Sequence, residues 1–110
     1  MKINTYTMKP APENPTSHHV DNILYRDDIA ILHEFLPKGA EVPPHVVPYG
    51  VFIMILKGSL KVTIGDQYRQ SHPAGTVVEV PYATQAGVKN EDDETAEIFV
   101  IKVNNKPADE

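Results

Sequence analysis

Histidine is the side chain best suited to shuttling protons or holding a metal near neutral pH. The chain has five: His18, His19, His33, His45 and His72. His45 follows Pro43-Pro44 and precedes a bend at Tyr49-Gly50. It is the candidate for work in a pocket, as a base or a hydrogen-bond donor. His18 and His19 are adjacent, so on a strand they point to opposite sides and cannot chelate together. Both are expected on a solvated arm. His72 precedes Pro73, and a turn accounts for it. Glu34, Glu79 and Glu97 alternate with apolar neighbours and are expected to face solvent. Any of them turned inward near His45 would make an acid–base pair. Glu91-Asp92-Asp93-Glu94 lacks the glycine and spacing of a calcium loop and reads as a solvated loop. Tyr49 and Tyr82 sit at bends, where they can cover the mouth of a cavity.

Short strands must position these groups. Ten prolines and six glycines divide the chain into segments rich in β-branched and aromatic residues, with no sustained helical period. This is the pattern of an all-β sandwich or barrel. Strands are expected over residues 20–25, 29–36, 42–47, 51–56, 59–64, 67–71, 76–80, 84–89 and 95–103. Gly65-Asp66 suits a two-residue hairpin connection. Pro10, Pro12 and Pro15 prevent regular ladder pairing, so residues 1–19 read as an arm, 20–103 as the barrel and 104–110 as a polar tail. Val51, Ile53 and Ile55 share one face of their strand, and Phe52, Met54 and Leu56 share the other. A strand apolar on both faces is usually buried on both.

The 110-residue length suits one domain with a modest core. The lack of cysteine excludes disulfides, iron–sulfur clusters and thiolate zinc sites. The net charge is −5 and no basic stripe is visible, so no nucleic-acid partner is expected. No apolar run follows Met1-Lys2-Ile3-Asn4, and none is long enough to span a bilayer. The expectation is a cytoplasmic chain with no membrane partner.

Two spacings carry a family resemblance. Gly39, His45 and Gly58 resemble the first motif of the cupin family in its glycine, first histidine and closing glycine. Gly75, Pro81 and Asn90 resemble the second motif, and the interval from Gly58 to Gly75 is short, as in small cupins. The implied fold is a double-stranded β-helix, or jelly-roll barrel. That family normally adds a second histidine, a glutamate and a third histidine to hold a metal inside the barrel. Here those positions are Val47, Val51 and Ala86, and Ala83 replaces a usual glycine. The expectation is therefore no metal and no cofactor. One way to rebuild a metal site would use His45, His33 and Gln85, with a bulge turning Gln85 inward.

The resemblance places Val51, Ile53 and Ile55 inside the barrel with Val47, Ala86 and Val88. The expected pocket is lined by His45, Val47, Tyr49, Val51, Ile53, Gln85, Ala86 and Val88, mostly apolar with few polar handles, as small-molecule sites are built. The outward Phe52, Met54 and Leu56 need a cover, and the resemblance implies a homodimer through this sheet. The leading functional reading is a metal-free binder of a small organic ligand. An enzyme with a rebuilt metal site or metal-free acid–base chemistry at His45 is a second reading. A filled barrel serving as a structural or interaction module is a third.

Overall fold

The computed structural model describes residues 1–104; residues 105–110 of the expected polar tail lie outside the described residues. The fold is all-β. The nine strands among those residues are β1 (His19–Tyr25), β2 (Ile29–Leu36), β3 (Glu41–Val46), β4 (Gly50–Lys57), β5 (Ser59–Ile64), β6 (Tyr68–Pro73), β7 (Val77–Val80), β8 (Gln85–Lys89) and β9 (Ala96–Val103). They form two antiparallel sheets, one ordered β1-β2-β9-β4-β7 and the other β3-β8-β5-β6. β3, with its two prolines, lies at a sheet edge, where a missing N–H costs no ladder bond.

Alternation builds the core. Val51, Ile53 and Ile55 of β4 meet Leu60 and Val62 of β5, Val78 and Val80 of β7, Ala96 and Ile98 of β9 and Leu36 of β2 in one buried cluster. The opposite parity points outward: Phe52 and Met54 on β4 stand beside Ile101 and Phe99 on β9, all half-buried.

Two residues fix how the strands close on one another. Asn90 is fully buried, its amide donating to the carbonyls of Leu36 and Glu94, both at 2.8 Å, while its Oδ1 accepts the Asp92 N–H at 2.9 Å. It thereby ties the end of β2 to the β8–β9 loop. That acidic loop is pinned further by Lys38 to Asp93 at 2.6 Å and by Ser59 to Asp92. The pairing with Lys38 holds the Asp93 carboxyl below its ordinary range. Gly87 is the second. A Cβ there would lie 2.7 Å from both the Pro44 nitrogen and the Val42 oxygen, so only glycine lets β3 close over β8.

Several local expectations need correction. β5 and β6 pair Ile64 with Tyr68, so their connection spans Gly65, Asp66 and Gln67 rather than two residues. The Gly65 N–H donates to the Gln85 carbonyl at 2.8 Å, which extends the chain along β8 before it turns. His72 lies within β6, where its Nε2 shares a hydrogen bond with the Tyr68 hydroxyl at 2.6 Å. Ala83 has φ of 55°, in the left-handed region that glycine tolerates better.

Candidate ligand-binding site

A cavity of about 220 Å³ lies between the sheets. Its wall is drawn from β1, β2, β3, β4, β7, β8 and β9 and adjoining residues. Most of that wall is apolar. β4 supplies Val51 and Ile53, and β9 supplies Ile98 and Val100. Val47 and Tyr49 come from the β3–β4 bend, and Ala86 and Val88 come from β8. The expected pocket residues His45, Val47, Tyr49, Val51, Ile53, Ala86 and Val88 are thus brought together around one space.

Gln85 is the exception. It is exposed and contributes nothing to the cavity wall. β8 pairs with β5 in regular register from Ala86 to Lys89, so Gln85 points away from the face that Ala86 presents. The bulge lies instead in β3, between Val42 and His45. It carries His45 to the exposed rim, where the His45 Nδ1–H donates to the Pro43 carbonyl at 3.1 Å.

The polar groups of the wall came largely from places that sequence reasoning assigned to solvent. Glu34 is 7% exposed and lines the cavity. The His18 Nε2–H donates to Glu34 Oε1 at 2.6 Å, so the end of the arm forms part of the wall. His18 and His19 do diverge: His19 turns to Asp21 at 3.1 Å and packs near Phe35. Thr84 and Lys102 complete the polar lining, whereas Tyr82 does not reach it. A signal for Glu34 and Lys102 was available. Glu34 shares strand parity with the buried Leu32 and Leu36, and Lys102 shares it with Ile98 and Val100. Nothing in the sequence around His18 marks it.

His33 lies on the other face of β2. It is 2% exposed, and its Nε2–H donates to Glu97 at 2.8 Å. Its ring packs 4.5 Å from that of Phe35 and 5.0 Å from that of Phe99. Its Nδ1 is buried without a partner among the described residues. Glu97 therefore serves a structural pair instead of facing open solvent, while Glu79 is exposed as expected.

These positions bear on the metal question through donor chemistry. A catalytic metal needs about three protein ligands. Of the family's ligand positions, only His45 offers a lone pair; Val47, Val51 and Ala86 offer none. The rebuilt set fails as well, because His33 is on the opposite face and Gln85 points away. No cluster of three or more histidine, cysteine or acidic residues suited to a metal occurs among the described residues. The residues present do not fit the family's metal. What the arrangement can do is enclose the apolar part of a ligand and meet a polar part of it at His18 and Glu34.

Comparison with known proteins agrees with this architecture. Residues 32–102 match the model of the Cupin domain family. The chain belongs to the cupin family. This cupin is 29% identical over 83 residues to an uncharacterized protein of Methanocaldococcus jannaschii, covering 76% of this chain and 72% of that one. The crystal structure of that same protein, described as an RmlC-like cupin family protein with a double-stranded β-helix fold, has a TM-score of 0.80 and 26% identity. The match covers 94% of this cupin and 92% of that chain. The polyketide cyclase RemF of Streptomyces resistomycificus has a TM-score of 0.71 at 16% identity, covering 84% of this cupin and 68% of its own chain. At that identity the likeness to RemF is one of fold alone.

Proposed function

We propose that this cupin binds a small organic molecule inside its barrel, without a metal at the family's ligand positions. The observation that carries this reading is the cavity itself. In so small a barrel, close packing is the rule, yet about 220 Å³ stays open, with polar groups set into an apolar wall. That division of labour is typical of small-molecule sites.

The test is to plug the space. Ala86 lines the cavity and is small, so Ala86→Phe grows into open volume. A thermal-shift screen of sugars, aromatic acids and short-chain acids is expected to find a ligand of the unaltered protein that Ala86→Phe no longer binds. At a concentration of 100 Kd, such a ligand adds about 2.7 kcal/mol to stability. Stabilisation that survives the plug would place binding elsewhere and sink the reading. Stoichiometric metal in untagged protein, lost on His45→Ala, would overturn its metal-free part.

A homodimer through the five-stranded sheet belongs to the same reading. Phe52, Met54, Leu56, Phe99 and Ile101 are half-buried rather than buried on its outer face, and Val77 is 53% exposed. Light scattering at micromolar concentration is expected to give twice the chain mass, falling toward a monomer in Phe52→Glu. A monomeric mass for the unaltered chain rejects the dimer.

A further inference from the structure

We propose that the ligand is a small carboxylic acid bound as its anion. Its carboxylate sits at Lys102, and its apolar body lies against Val51, Ile53 and Val100. This deepens the reading of the barrel as a ligand site and rests on it.

Three observations converge. Lys102 lies on β9 between Ala30 and Val51 of the neighbouring strands, and it shares its parity with the buried Ile98. It is the one ammonium-bearing side chain among the described residues of the cavity wall. It is half-buried, and no carboxylate among the described residues lies within ion-pair distance of it, while Asp28, near the same end of the sheet, is engaged by Arg26 at 2.8 Å. A cation without an ion-pair partner gains from a ligand that brings the opposite charge.

The second observation fixes the ligand's direction. Glu34 pairs with Ile98 across β2 and β9, and Lys102 lies four positions farther along β9. At about 3.3 Å per residue their levels are about 13 Å apart. A carboxylate is repelled at the Glu34 end and attracted at the Lys102 end. The His18–Glu34 pair then faces the tail of the ligand, where a hydroxyl group would find an acceptor.

The third is size. At about 30 Å³ per water-sized unit, the 220 Å³ cavity holds about seven such units. This suits acids near the size of hexanoate or benzoate.

Calorimetry with hexanoate and benzoate, against the neutral hexanamide and benzamide, tests this at neutral pH. Both carboxylates are expected to bind at least tenfold more tightly than their amides. Lys102→Met should remove that preference, and Lys102→Arg should restore it. Rising salt should weaken hexanoate but not hexanamide binding to the unaltered protein, a readout that needs no variant to fold. Equal affinity for acid and amide, or a preference that survives Lys102→Met, overturns the carboxylate assignment. Binding of the amides alone, lost in Ala86→Phe, overturns it too but leaves the ligand-site reading standing. No binding of either class overturns the assignment, and if the wider ligand screen also finds nothing, the ligand-site reading falls with it.

Discussion

Replacing Asn90 with alanine is expected to cost about 3 kcal/mol, one for each of its three side-chain hydrogen bonds. For a chain of this size that lowers the thermal midpoint by about 12 °C or more. The cost is large because the side chain is fully buried and its partners are main-chain groups. Those groups keep their need for a partner when the amide is gone. Asn90→Asp is the sharper variant. It retains the acceptor for the Asp92 N–H but cannot donate to Leu36 or Glu94, and it buries a charge against two carbonyl oxygens. It should be at least as destabilising as alanine, despite being nearly isosteric. Urea unfolding that left both variants within about 0.5 kcal/mol of the parent would mean that the β2 end and the acidic loop are held by something else. The residue that closes the second family motif therefore acts as a structural clasp, distant from any chemistry.

Gly87→Ala is expected to cost about 2–3 kcal/mol, the upper part of the range for overpacking. A single added methyl would sit 2.7 Å from two backbone atoms of β3. Backbone cannot swing aside as a side-chain tip can, so β3 must lift off β8. Because β3 carries Val42 and His45 into the cavity wall, the same variant should weaken ligand binding. Amide resonances of Val42, His45 and Val46 should shift while those of β6 stay in place. A variant of unchanged stability and unchanged β3 resonances would show that the two strands do not meet this closely. Gly87 is the counterpart of Ala83: one position needs glycine for space and has it, while the other favours glycine for its φ of 55° and lacks it.

The fold was legible because its signals were redundant. Alternation in β4 and β5, the glycine turns and the two motif spacings each pointed to the same barrel, and the observed strands begin and end within about two residues of the expected ones. The site was legible where it followed that alternation, as for Val51, Ile53, Ala86 and Val88. It was illegible where a local irregularity intervened. Pro43 and Pro44 argued for a rim or edge, as β3 proves to be, but they did not say that the bulge would turn His45 to the exposed rim. Glu34 was misread because both parities of β2 are apolar, so its charge suggested solvent. The stronger inference was that a glutamate in a strand apolar on both faces is buried on either. His18 was beyond reach, since its role depends on where an arm lies against a barrel, a contact between segments with no shared period.

The β5–β6 hairpin contributes nothing to the cavity wall among the described residues, although Leu60 and Val62 anchor it firmly in the core. The barrel is therefore divided into a part that lines the cavity and a part that only braces it. The exposed tip at Asp66 and Gln67 is the natural place to attach a dye or a fused domain, because exposed loop tips tolerate such additions best. A passenger mounted there would stand clear of the cavity wall, so this small barrel offers a ready-made handle for reporting whether the proposed site is filled.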